Sequence, residues 1–119
     1  MGSARTMTYS RADVLKALVP RLSPQRGPKR RYALVLSANA YNDSHDHGVL
    51  AAISTGVPTE RLEGVHVIAG WKSLGLDRPS VVTPWLWTLE WDAVIEKVGQ
   101  MSPHEFGQVI ERLREVVSI

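Results

Sequence analysis

The sequence predicts a mainly β fold with one helix: a small barrel or curled sheet covered by a C-terminal amphipathic helix. Three observations carry this reading. About five to seven short apolar runs of strand length punctuate the chain, most of them closed by Gly, Pro, Asn or Ser. Only the last segment holds a sustained helical stripe. With 119 residues, 44% hydrophobic and 22% charged, the chain suits one domain with a real core and has little room for a second.

In chain order, residues 13–20 (Asp13-Val14-Leu15-Lys16-Ala17-Leu18-Val19-Pro20) satisfy two readings. Ser10 and Asp13 have capping-box spacing, and Leu15, Leu18, Val19 and Leu22 have helical spacing. The β-branched residues and the closing Pro20 equally suit a strand. Residues 21–29 read as a loop, broken by Pro24, Gly27 and Pro28 and charged by Arg21, Arg26 and Lys29. The stretch Arg30-Arg31-Tyr32-Ala33-Leu34-Val35-Leu36-Ser37 then organises the chain. Its apolar part, 33–36, reads as a strand buried on both faces, with two arginines at its mouth. They either hold positive charge rigidly toward an anion or serve as solubilising edge charges.

Residues 39–48 are polar and turn-rich. Val49-Leu50-Ala51-Ala52-Ile53 is a second apolar strand, ending at Ser54-Thr55-Gly56. Residues 65–68 form a further strand, with His66 facing outward, and 70–76 form a turn of helix that packs Trp71 onto the sheet. Residues 81–82, 85–91 and 93–98 supply the remaining strands. The end is the clearest element. Ser102 caps, Pro103 takes the first helical position and Glu105 completes a capping box. Phe106, Val109, Ile110, Leu113, Val116 and Val117 then form one apolar stripe, which reads as core rather than as a partner surface.

There is no cysteine, which excludes disulfides, thiolate zinc sites and cysteine nucleophiles and fits a reducing cytoplasm. No apolar run approaches the roughly 18 residues of a membrane span. The net charge of +2 is unevenly spread. Through Arg31 the chain carries eight Lys/Arg against one acid, and from Tyr32 onward six against eleven. That asymmetry predicts either a basic surface for a polyanion or a basic, partly disordered N-terminal arm. Residues 1–11 read as a disordered tail, and 12–119 as the domain. His45-x-His47 lacks a third ligand at metal spacing and reads as solvated loop histidines.

The order of these segments resembles the MazF/PemK (Kid-like) toxin family, nearer its PemK-like branch. Arg31-Tyr32-Ala33-Leu34-Val35-Leu36-Ser37 is similar to the family's second strand, which typically reads Arg-Pro-Ala-Leu-Val-Leu-Ser. Ala52-Ile53-Ser54-Thr55 resembles the end of its next strand. The stretch from Trp71-Lys72-Ser73 to Ser80-Val81-Val82, and Val98-Gly99-Gln100-Met101-Ser102 before the terminal helix, resemble its later segments. The resemblance implies an SH3-like β-barrel, a homodimer and a small antitoxin that blocks the RNA groove. It also implies metal-independent cleavage of single-stranded RNA, with no cofactor, to 2′,3′-cyclic phosphate and 5′-hydroxyl ends. It assigns 13–20 to the opening strand.

By the same resemblance Arg31 occupies the catalytic arginine position, where a guanidinium grips the phosphate. Ser54 occupies the catalytic Thr/Ser position, with Thr55 as a neighbour able to share its task. Arg21, Arg26, Lys29 and Arg30 are expected to track the RNA backbone. Trp85, Trp87 and Trp91 share parity, so one continuous strand turns them the same way, into core or interface. Alternatively Trp85 and Trp87 stack bases or grip a partner. Three departures stand out. Tyr32 replaces the proline after the arginine, loosening the start of that strand. Ala12 replaces a glycine before the opening Asp. Pro84 stands where some members carry an assisting Asp, so a base must come from elsewhere. His45, His47 and Glu90 are the candidates, without positional support. The rival readings are a non-catalytic RNA- or antitoxin-binding relative and a CcdB-type gyrase-binding toxin on the same barrel.

Overall fold

The computed structural model describes residues 7–19 and 29–118. Residues 1–6 of the expected tail, and 21–28 of the expected basic loop with Arg21 and Arg26, lie outside the described residues. Strands β1 (Asp13–Val19), β2 (Lys29–Val35), β3 (His47–Thr55), β4 (His66–Val67), β5 (Ser80–Glu90) and β6 (Val94–Gln100) form one antiparallel sheet in the order β4-β5-β3-β2-β1-β6. A short helix α1 (Asn39–Ser44) joins β2 to β3, and α2 (Pro103–Leu113) ends the fold. The expected mainly β architecture with a C-terminal helix is present. Its sheet is an open, barrel-like curl, with β4 and β6 as its edges.

Both faces of the sheet are buried. Val14, Leu34, Ala51, Ile53 and Val82 join Phe106 and Val109 of α2 and Leu74 and Leu76 of the 70–76 turn in one core. Leu15, Ala17, Ala33, Val35 and Leu50 join Leu89 and Trp91 in the other. This decides the ambiguity at 13–20. Val14 and Leu15 are both fully buried yet belong to different cores, which strand alternation achieves and a helical face does not. Each side chain of this size contributes about 1.5–3 kcal/mol when fully buried. Tyr32 does not loosen β2: it pairs with Lys16 on one side and Ile53 on the other.

The run 81–82 and the run from 85 to Glu90 are one eleven-residue strand, β5, rather than two, and Trp91 opens a short 3-10 turn after it. Ala51 pairs with Leu86 but Ile53 with Val82, so Thr83, Pro84 and Trp85 all oppose Ala52 in a bulge. Thr83 staples it. Its Oγ1 donates to the Ala52 carbonyl at 2.9 Å and accepts from the Trp85 N–H at 3.3 Å. A bulge is where a proline, lacking an N–H, fits inside a sheet. The three tryptophans consequently part. Trp91 is in the core, Trp87 packs partly against it, and Trp85 is 67% exposed.

Residues just before β1 are tied to the domain. The Arg11 N–H donates to Asn39 Oδ1 at 2.7 Å, and buried Asn42 donates to the Tyr9 carbonyl at 3.0 Å. The Tyr9 ring lies 5.5 Å from that of Trp91. Helix α1 was not legible because no side chain caps it at Ala38. Ala12 has φ 75°, a left-handed conformation that costs a non-glycine residue about 1–2 kcal/mol.

At α2 the Ser102 side chain accepts from the Glu105 N–H at 3.2 Å, and Pro103 sits in the first turn. The Glu105 carboxylate does not complete the box. Its Oε2 lies 2.8 Å from His66 Nε2 and accepts from the Ala69 N–H at 2.9 Å. His66 is therefore buried under α2, not turned outward. Phe106, Val109 and Leu113 are core, whereas Val116, beyond the helix, is 51% exposed.

Candidate active site

The β2–β3 register ends with Tyr32 paired to Ile53, and Arg31 and Ser54 are the next residue on each strand. Beyond Ser54, Thr55 pairs with Ser80 of β5, and the Gly56 N–H donates to the Pro79 carbonyl at 2.9 Å. The ends of β2 and β3 thus meet the segment that leads into β5. A groove of about 540 Å³ opens there. Arg31, Ser54 and Thr55 line it together, with Lys29 and Arg30 on the β2 side and Asp77 and Arg78 on the β5 side. The three arginines and Lys29 are exposed and give the groove four cations against one carboxylate. Strand β2 explains the arrangement: residues 33–35 are fully buried, and the basic residues 29–31 continue the same rigid strand into solvent.

Ser54 and Thr55 also line a second groove, of about 540 Å³, on the other side of the end of β3. Its walls are apolar and include Val57, Leu62, Pro84 and the exposed Trp85, with Glu63 at its edge. Pro84 packs against Gly64, where an added Cβ would lie 3.0 Å from the proline ring. Trp87 is not part of this groove, so the two tryptophans expected to act together are separated.

His47 and Glu90, weaker catalytic candidates in the sequence, pair with each other across β3 and β5. They stand seven residues from Ser54 along β3, which at the strand rise is roughly 23 Å. The structure does not bring them to Arg31. His47 instead lies with Nε2 2.6 Å from the Tyr41 hydroxyl, and His45 stacks on the Tyr41 ring at 3.9 Å. Among the described residues no group of three His, Cys, Asp or Glu could hold a metal ion. None of their helices is long and apolar enough to cross a membrane. Sequence reading missed Asp77 and Arg78. Their signal was present, as charged residues in the stretch just before β5, but only the fold brings that stretch beside Arg31.

The model of the PemK toxin family, described as PemK-like, MazF-like toxin of type II toxin-antitoxin system, matches residues 10–117. The chain belongs to this family. Solved MazF-like structures share its fold. A MazE–MazF complex from Deinococcus radiodurans superposes with a TM-score of 0.72 at 17% identity, covering 96% of this chain and 99% of that one. An endoribonuclease in complex with its cognate antitoxin from Mycobacterial species gives 0.70 at 18%, covering 89% and 91%. The Mycobacterium tuberculosis toxin MazF-mt6 gives 0.66 at 18%, covering 84% and 92%. A comparison with curated protein sequences finds no match. In this MazF-like chain the matched region begins at residue 10, within the segment that docks on α1.

Proposed function

We propose that this toxin is an endoribonuclease that cleaves single-stranded RNA without a metal ion, leaving 2′,3′-cyclic phosphate and 5′-hydroxyl ends. One observation carries the reading: Arg31, Ser54 and Thr55, expected to act together, line a single groove with Lys29, Arg30 and Arg78. Arg31 binds the non-bridging phosphoryl oxygens and stabilises the charge that grows there. Ser54 or Thr55 orients the phosphate or ribose by a hydroxyl hydrogen bond. Lys29 and Arg30 hold the flanking backbone, so binding weakens steeply with salt. Unpaired bases pass into the apolar groove and stack on Trp85. The toxin acts as a cytoplasmic homodimer, and a small cognate antitoxin blocks the groove.

Incubating the purified chain with long single-stranded RNA in EDTA tests this, with product ends read for cyclic phosphate. Wild type is expected to cleave, and Ser54→Ala to cleave markedly more slowly with its fold intact. The exposed Trp85 beside Val57 and Leu62 favours a second reading, a toxin that grips a protein. Growth inhibition that survives the combined Arg31→Ala and Ser54→Ala changes would favour that reading over RNA cleavage.

A further inference from the structure

We infer that Asp77 is the general base of this site, taking the proton from the attacking 2′-hydroxyl. The inference rests on the ribonuclease reading. Among the described residues that line the groove with Arg31, Asp77 is the single carboxylate, and no histidine lines it. The other groups considered are excluded by position. Pro84 carries no proton-transfer group, and His47 and Glu90 pair at the far end of β3. Glu63 borders the apolar groove instead.

The segment holding Asp77 is anchored on both sides. Before it, Leu76 is 5% exposed, and its N–H donates to the Trp71 carbonyl at 3.1 Å. Gly75 turns the chain with φ 84° and packs so close to the Val98 carbonyl that no side chain fits there. After it, the buried Ser80 donates its hydroxyl to the Arg78 carbonyl at 2.8 Å. The Gly56 to Pro79 hydrogen bond ties the same segment to the end of β3, one residue from Thr55. Asp77 itself lines the groove, is exposed, and makes no hydrogen bond or ion pair with the described residues, so its carboxylate is available to accept a proton. A carboxylate held this way on rigid supports, beside cations that bind the phosphate, is what proton abstraction needs.

In the step assigned, the O2′ proton passes to an Asp77 carboxylate oxygen as O2′ forms a bond to phosphorus. The P–O5′ bond breaks, and the departing O5′ takes a proton from water. Asp77 then releases its proton to solvent, and no group is oxidised or reduced.

Single-turnover cleavage in EDTA tests the assignment with wild type, Asp77→Asn, Asp77→Glu and, as a control on the outer face of α2 away from both grooves, Glu111→Gln. Asp77→Asn is expected to slow cleavage about 10²–10⁴-fold, while Asp77→Glu recovers part of the rate and Glu111→Gln stays near wild type. Binding of RNA blocked by a 2′-deoxy sugar at the cleavage position should not weaken in Asp77→Asn. A substrate with a bridging 5′ sulfur needs no leaving-group proton, so Asp77→Asn should remain slow on it. Restoration of the rate by sulfur would make Asp77 the acid and overturn the assignment, as would unimpaired cleavage of ordinary RNA by Asp77→Asn. A wild type inert toward every RNA would overturn the ribonuclease reading itself, and the assignment with it.

Discussion

Removing the Glu105 carboxylate should unlock α2 from β4. In Glu105→Ala, His66 Nε2 and the Ala69 N–H lose the oxygen they share, at 2.8 and 2.9 Å. The His66 side chain is 11% exposed and that of Glu105 14%, so the imidazole is left without a partner in a dry place. An unsatisfied buried group of this kind costs about 1–3 kcal/mol. Ala69 is exposed, so its N–H can turn to water at a loss of about 1 kcal/mol. Losing a negative charge from the first helical turn adds about 0.3–1 kcal/mol, and the better helix propensity of Ala returns a few tenths. The sum is about 3 kcal/mol, a large part of the roughly 5–15 kcal/mol that holds a domain of this kind together. Urea unfolding should show it as a midpoint lowered by about 1–2 M with an unchanged slope. Glu105→Gln keeps an acceptor and should lose about 1 kcal/mol. A Glu105→Ala loss below about 0.5 kcal/mol would refute the view that this carboxylate is a buried lock rather than a surface cap.

Two further predictions concern packing and pH. At Gly48 an added Cβ would lie 2.6 Å from Trp91 Cζ2 and 2.9 Å from Ser37 Oγ, so Gly48→Ala should cost about 1–3 kcal/mol and perturb tryptophan fluorescence. Unaltered thermal stability would contradict this packing. Glu115 holds its carboxyl below its ordinary value of 4.5, first because the Gly64 N–H donates to it at 3.1 Å, then because Arg61 bonds to it and Arg112 lies nearby. A depressed carboxyl stabilises the fold fully above 4.5 and loses that contribution as pH falls through its folded value. Urea midpoints of wild type and Glu115→Gln should therefore differ near neutral pH and converge in acid. A difference that persists in acid would contradict the linkage.

The parts of the fold legible in the sequence were those decided by local chemistry. The buried run at 33–35, one residue shorter than expected, the Ser102-Pro103 start of α2 and its stripe through Leu113 each follow from residue type and spacing. What the sequence hid depended on pairing between distant strands. No local signal marks Ser80–Glu90 as one strand, because its bulge is defined only by Ala52 opposite. Glu105 sits at capping-box spacing, but a buried histidine from β4 offers its carboxylate a better partner than the helix start does. The site divides in the same way. Arg31 and Ser54 were singled out by the resemblance to the MazF/PemK family, and the fold sets both on one groove. Asp77 was not, since only the β3–β5 register brings its segment to the groove. His47 and Glu90 had suitable chemistry and unsuitable positions.

The most direct test of the central claim, that the Arg31 groove carries out RNA cleavage, is the single-turnover rate of Arg31→Ala beside wild type in EDTA. Loss of one charged donor aimed at developing phosphoryl charge should slow cleavage about 10²–10³-fold or more, with the urea midpoint unchanged because Arg31 is exposed. An Arg31→Ala protein that cleaves as fast as wild type would contradict the claim and place the chemistry outside this groove.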